Sequence, residues 1–186
     1  LKGLTLSATG GLGFAYNAND RYMPMASKNP ETNPYAEAYY GTTSNKNWIV
    51  EPQLRYNRYV GKGSLSILLG GSLQHTFTKG TTTYGAGYPD DNLIGSINNA
   101  TSTFIYERQG EYKYVAAFGQ VNYNWRNKYI ANINLRRDGS SRFGPGRQFG
   151  NFGSAGLAWI ASEEPAIKKA LPQWVSFLKF RGSYGT

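Results

Sequence analysis

Val115-Ala116-Ala117-Phe118-Gly119-Gln120-Val121-Asn122-Tyr123-Asn124-Trp125 leads through Arg126-Asn127-Lys128 into Tyr129-Ile130-Ala131-Asn132-Ile133-Asn134-Leu135-Arg136. Val115, Ala117, Gly119, Val121, Tyr123 and Trp125 oppose Gln120, Asn122 and Asn124, while Tyr129, Ala131, Ile133 and Leu135 oppose Asn132, Asn134 and Arg136. Side chains alternate across a strand with period two, so 115–136 predicts two strands and a tight turn, each strand with one apolar and one polar face. The same split extends upstream. In 48–60, Trp48, Val50, Pro52, Leu54, Tyr56 and Val60 share one face, and Glu51, Gln53, Arg55 and Asn57 the other. In 64–78, Leu65, Ile67, Leu69, Leu73 and Phe77 oppose Ser64, Ser66, Ser72, Gln74, Thr76 and Thr78. Weaker alternation over 3–16, 149–161 and 175–185 brings the expected strands to about seven.

Several of these segments exceed the five or six residues usual for a soluble sheet. The chain has 186 residues, is 40% apolar and 15% aromatic, and carries 23 glycines. A soluble β-sandwich packs Leu, Ile and Val between two sheets. These apolar faces instead mix Gly and Ala with Tyr, Trp and Phe near the expected strand ends, as lipid-facing strands with aromatic girdles do. Trp48, Tyr56, Tyr123, Trp125, Tyr129 and Trp159 are therefore expected at the membrane–water interface, with ordinary sheet packing as the other reading. Glu51, Gln53, Arg55, Gln120, Asn122 and Asn132 are expected to face the lumen.

Connections alternate in length: 17–46 is long, 61–63 tight, 79–110 long, 126–128 tight and 138–148 intermediate. Short periplasmic turns and long extracellular loops are the outer-membrane pattern. The link at 162–174 is longer than its side of the barrel requires, and a brief helix accounts for it. Ser162 is expected to N-cap that helix, with Glu163 and Glu164 at its positive end, Lys168 and Lys169 at its negative end, and Pro172 as its stop. The fold class expected is all-β: an antiparallel up-and-down transmembrane β-barrel segment, incomplete on its own. An odd strand number and two sheet edges in hydrocarbon would leave backbone groups unpaired at several kcal/mol each. Residues 1–186 are thus expected to belong to a longer chain or to join the rest of a barrel.

Composition excludes several chemistries. The chain has no cysteine, hence no disulfide, thiolate metal site or cysteine nucleophile. Its longest apolar runs, Ile67-Leu68-Leu69 and Val115-Ala116-Ala117-Phe118, are far short of a membrane-spanning helix, and no signal-peptide pattern opens the chain. The net charge of +9 is dispersed over separate segments, which suits a solvated lumen or loop face and does not suggest nucleic acid as a partner. His75 is the only histidine, so a hydrolytic triad has one possible base and a multi-histidine metal site has none. By alternation it falls with Leu73 and Phe77 on the apolar face, near the upper girdle. Glu163-Glu164 and Asp90-Asp91 are sequence neighbours, whereas a glycosidase pair faces across a sugar. No cofactor and no metal is expected.

Specific sequence words go beyond periodicity. Arg136-Arg137-Asp138-Gly139-Ser140-Ser141-Arg142-Phe143-Gly144 is followed by Gly150-Asn151-Phe152-Gly153-Ser154, by Trp159-Ile160-Ala161-Ser162-Glu163-Glu164-Pro165 and by Leu178-Lys179-Phe180-Arg181-Gly182-Ser183-Tyr184-Gly185-Thr186. In order and spacing this series resembles the barrel signature of SusC/RagA-class TonB-dependent outer-membrane transporters. Tyr88-Pro89-Asp90-Asp91-Asn92 and Phe118-Gly119-Gln120-Val121-Asn122-Tyr123 are similar to further family segments, and the resemblance is densest over 111–186. Gly153 stands where the family often has proline, and Ile160 where it often has arginine. The resemblance implies a barrel of about 22 strands with a plugged lumen, energised through TonB, in the outer membrane of a Bacteroidetes-like Gram-negative bacterium. It further implies a SusD-like surface lipoprotein as partner and glycans or peptides as substrate. The family's plug and TonB-contacting segment have no counterpart in 1–186, so this chain alone is expected neither to transport nor to couple to TonB; it is expected to be barrel wall and, lacking a catalytic constellation, not an enzyme.

Contact candidates follow. The Asp138-Gly139 stretch is chemically a turn, and alternatively Arg136, Asp138 and Arg142 line the extracellular mouth, where they orient ligand or meet the lipoprotein. Tyr88, Asp90, Asp91 and Asn92 are expected in a long loop, as a solvated or partner-contacting turn or, less simply, as oxygen ligands for calcium. Two rivals stand beside transport: a soluble β-sandwich that grips carbohydrate through its tyrosines, and a barrel enzyme centred on His75.

Overall fold

A computed structural model describes residues 2–32 and 34–186. Among these residues seven strands form one sheet in sequence order: β1 Leu4–Met23, β2 Ala36–Val60, β3 Gly63–Tyr88, β4 Ser102–Trp125, β5 Tyr129–Ser140, β6 Phe149–Ile160 and β7 Lys179–Gly185. Among the described residues β1 and β7 each have one neighbour, so the sheet is open. The architecture is all-β and up-and-down, with one short α-helix among the described residues, α1 (Pro165–Ala170). No second sheet covers it among the described residues, and Trp125 is 39% exposed. A sandwich requires the opposite arrangement.

Pairing follows the alternation read from the sequence. Antiparallel β4 and β5 set Trp125 opposite Tyr129, Tyr123 opposite Ala131, Val121 opposite Ile133 and Gly119 opposite Leu135. From β5 to β6 the same face continues through Trp159, Leu157 and Ala155, and β7 adds Phe180 and Gly182. The turn after β4 has Arg126 and Asn127 at φ 53° and 55°, and the Lys128 N–H donates to the Trp125 carbonyl at 3.0 Å. Two successive residues at positive φ match the right-handed twist of the flanking strands, which is why so short a connection closes this hairpin.

Strand length departs from expectation. β2, β3 and β4 have 25, 26 and 24 residues, so most of 17–46 and 79–110 is strand, and the true connections are 24–35 and 89–101. Asp138 and Gly139 also lie within β5, opposite Gly150 and Phe149. Gly139 is needed there for close approach: a Cβ would meet the Phe149 ring at 2.5 Å and Val115 Cγ1 at 3.0 Å. Trp48 lies in the middle of β2, away from either end. Between β6 and β7, Ser162 makes no cap. It belongs to a buried 3-10 turn, and Glu164 occupies the helix N-cap through its backbone alone, with Pro165 starting the first turn and Lys168 and Lys169 in the last. The final strand starts at Lys179, four residues later than its alternation suggests.

The chain divides into two compact units. One gathers the beginning of β1 through Gly11, Ile49–Gln74 and Lys113–Thr186; the other gathers Leu12–Trp48 and His75–Tyr112. Within the second, Ala36, Ala38 and Tyr88 are buried together, with Met25, Tyr40, Ile94 and Ala100 packed against them.

Candidate functional site

The pleat that forms the sheet also sorts its chemistry. On the face carrying Val121, Ile133 and Leu157, large apolar side chains stand in the open: Leu135 is 64% exposed and Leu157 70%. In the other unit Leu12 is 91% exposed and Phe14 67%. Exposed large apolar side chains therefore recur in both units, each on strands that also carry polar residues.

Aromatic rings collect where β4, β5, β6 and β7 meet their short-turn end. Trp125 and Tyr129 have ring centroids 5.4 Å apart, Tyr129 stacks on Trp159 at 6.5 Å, and Trp159 on Phe180 at 5.8 Å. Tyr123 donates its hydroxyl to the Val60 carbonyl at 3.0 Å, and Tyr56 accepts from Arg58 at 3.3 Å. Four of the six expected girdle residues thus sit at one end of the paired strands, three of them in a single ring-to-ring row. Trp48 lies elsewhere, 6.0 Å from the His75 ring in a hollow lined also by Leu12, Phe14 and Phe77. His75 accordingly shares the apolar face, and its Nε2 is 2.8 Å from the Glu111 carboxylate. Phe180 was missed as a member of the row because the alternation of 175–185 is weak.

The opposite face is polar and laterally hydrogen-bonded. Asn122 donates to Asn132, Asn134 donates to Ser154 at 3.0 Å, Ser72 donates to Glu51 at 3.2 Å, and Gln120 pairs with Asn134 in register. Gln53 and Arg55 share the Glu51 face by alternation. These amides and carboxylates satisfy one another while keeping an open side, as water-lined surfaces do.

Arg136 and Asp138 come together on this polar face of β5. The Arg136 guanidinium donates from Nε to Asp138 at 2.7 Å and from Nη2 to the Tyr114 hydroxyl at 2.8 Å, and it lies 5.5 Å from the Phe118 ring centroid. Arg142 lies in the connection after β5, where its N–H donates to Ser140 Oγ at 3.3 Å. Tyr114 is the partner that sequence reading missed, because cross-strand register is invisible to period-two counting.

Tyr88-Pro89-Asp90-Asp91-Asn92 holds the chain in place. Tyr88 closes β3 and is only 2% exposed, so it is not a free loop aromatic. Asp90 accepts from the Asn92 N–H at 2.7 Å, and Asp91 accepts from the Met25 and Ala26 N–H groups at 2.7 and 3.1 Å, tying 89–101 to 24–35. These carboxylates accept from backbone N–H groups two residues away or across the two connections, the arrangement of turns and caps. Among the described residues no cluster of three or more His, Asp or Glu is set to hold a metal ion.

Before α1, Glu164 accepts from Lys128 at 3.0 Å and from the Tyr129 hydroxyl at 2.8 Å. Those two donors hold its carboxyl below the ordinary carboxylate range.

Comparison with known proteins agrees with this geometry. Residues 2–186 match the model of a family described as TonB dependent receptor-like, beta-barrel. The chain is 29% identical over 155 residues to TonB-dependent receptor P3 of Formosa agariphila, an alignment covering 80% of this chain and 15% of that protein. It is 29% identical over 156 residues to TonB-dependent receptor SusC of Bacteroides thetaiotaomicron, covering 81% and 15%. A solved structure of the RagAB peptide transporter superposes on all of this chain and 21% of its own, with TM-score 0.85 and 22% identity, a likeness of fold. The chain therefore spans about a seventh of the length of these curated relatives.

Proposed function

Since the chain belongs to the TonB dependent receptor-like β-barrel family, we propose that it forms part of the wall of an outer-membrane, TonB-dependent transporter that imports nutrients, glycans or peptides. The observation that carries this reading is the contrast between its faces. Exposed Leu135 and Leu157 mark the lipid side, while Asn122, Asn132, Asn134 and Ser154 mark the lumen side. Glu51, Gln53, Arg55 and Gln120 line the lumen with them, facing the plug or the substrate path. The Trp125, Tyr129, Trp159 and Phe180 row anchors the periplasmic interface, where amphipathic rings settle. Residues 1–186 are a portion of the barrel domain, and the plug and the TonB-contacting segment are supplied by the rest of the protein.

Conduction follows plug rearrangement and involves no bond chemistry in this chain. Arg136 and Asp138 orient substrate from the wall. The 89–101 and 24–35 connections, through Asp90 and Asn92, and Arg142 in the connection after β5 meet a SusD-like lipoprotein. A relative named SusC and a fold neighbour described as a peptide transporter support this reading.

The test is deletion of the full-length gene in its host, with uptake of labelled oligosaccharides and oligopeptides measured beside outer-membrane fractionation. Loss of uptake of one class, with the protein in the outer-membrane fraction, is expected. Recovery of the full-length protein from the aqueous fraction, or unchanged uptake of every substrate that the host consumes, would overturn the proposal.

A further inference from the structure

The unit formed by Leu12–Trp48 and His75–Tyr112 carries a groove that the transport reading leaves without a task. Its volume is about 340 Å³, and its lining includes Asn17, Asn19, Arg21, Tyr39, Thr82 and Arg108. Gly41 and Gly80 deepen it by contributing no side chain. The Arg108 side chain lies across Gly80, where a Cβ would come within 2.6 Å of its Nε. Beside the groove runs an aromatic ledge: the Tyr39 and Tyr84 ring centroids are 4.8 Å apart, and Tyr84 stacks on Phe104 at 6.2 Å. The ledge is fixed from behind, since the Tyr84 hydroxyl donates to Glu37 at 2.5 Å and Glu37 pairs with Lys28 at 2.6 Å.

We infer that this groove is a binding subsite for acidic oligosaccharides, chains of pyranose rings bearing carboxylate or sulfate groups. Two arguments converge. Neither Arg21 nor Arg108 has a hydrogen bond or ion pair among the described residues, although carboxylates nearby are taken: Glu37 by Lys28 and Tyr84, and Glu107 by Lys79 at 3.5 Å. Two unneutralised guanidiniums in one polar groove are set for bidentate contact with anions. The ledge, with Phe104 exposed and Tyr39 and Tyr84 half-buried, offers ring surface to the apolar faces of pyranoses, and Asn17, Asn19 and Thr82 supply donors and acceptors for their hydroxyls. An acidic peptide would use the arginines but has less use for a stacked ledge beside short amide and hydroxyl groups. The inference rests on the transport reading for its meaning, though binding itself is measurable without transport.

The test uses the purified full-length protein in detergent and isothermal titration with three probes: tetragalacturonate, its methyl-esterified neutral form, and a tetraglutamate peptide. Wild type is expected to bind tetragalacturonate at least about tenfold more tightly than the other two, since one good charge-assisted contact is worth about that factor. R21Q/R108Q is expected to lose about tenfold to a hundredfold for tetragalacturonate with little change for the ester, and F104A to weaken both sugars. Heat-modifiable migration on gels checks that each variant is a folded barrel. Equal affinity of wild type and R21Q/R108Q for tetragalacturonate, or preference for tetraglutamate, overturns the inference. Uptake by cells separates the two readings: neutral-substrate uptake with no acidic-sugar binding removes the subsite and leaves the transporter intact.

Discussion

Ile133 is the position at which the assignment of faces has the largest energetic consequence. It lies near the middle of β5, pairs with Val121 on one side and Ala155 on the other, and is 51% exposed. If that exposure is to hydrocarbon, I133R puts a guanidinium near the bilayer midplane, at about 2–4 kcal/mol. The folded-to-unfolded ratio then falls between about 30- and about 700-fold. The adjacent Asn132 points to the opposite face, and N132R loses the hydrogen bond from Asn122, at about 1 kcal/mol, while its new charge stays in water. Urea titration of the full-length protein in liposomes, followed by tryptophan fluorescence, gives both values. I133R should cost at least about 1 kcal/mol more than N132R. Equal costs, or a larger cost for N132R, would refute the assignment of faces.

Other substitutions probe single contacts. G139A places a methyl group against the Phe149 ring and Val115, and should destabilise the barrel by about 1–3 kcal/mol in the same titration; a turn role for Asp138-Gly139 would leave stability nearly unchanged. D91A removes the acceptor for the Met25 and Ala26 N–H groups, so hydrogen exchange at 25–27 should accelerate while protection of β5 stays constant. For Glu164, a carboxyl lowered in the folded state stabilises the 161–178 connection above the ordinary carboxylate pKa. That contribution is lost as pH falls through the lowered value. Exchange in 161–171 should therefore quicken in acid for wild type, after allowance for intrinsic rates, and E164Q should lack that pH step.

What the sequence disclosed depended on contrast between faces. β5, β6 and the lower parts of β2, β3 and β4 were legible because Ile133 and Leu135 alternate with Asn132 and Asn134, and Leu65, Ile67 and Leu69 with serines. The upper part of β3, Lys79-Gly80-Thr81-Thr82-Thr83-Tyr84, is polar on both faces and reads as a loop although its backbone is strand. This is why the groove of Asn17, Arg21 and Arg108 lay outside the candidate residues. Asp138-Gly139 has turn chemistry in isolation, and only the Phe149 ring on the next strand explains its glycine. Tyr88 was likewise placed in a loop because its partners, Ala36 and Ala38, lie some 50 residues upstream. The aromatic row is readable as composition at Trp125, Tyr129 and Trp159, whereas Trp48 lies in mid-strand because β2 begins at Ala36, upstream of the alternation that starts at Trp48.

The central claim, a sheet with lipid on one face and the lumen on the other, is tested most directly by spin-label accessibility along β5. The chain has no cysteine of its own, so single cysteines can be introduced at 131 to 135 without removing any from it. Labels in the full-length protein in liposomes report collision with oxygen and with a water-soluble nickel chelate. The account predicts high oxygen and low nickel accessibility at Ala131, Ile133 and Leu135, and the reverse at Asn132 and Asn134. Uniform nickel accessibility along the strand, or the opposite phase, would contradict it.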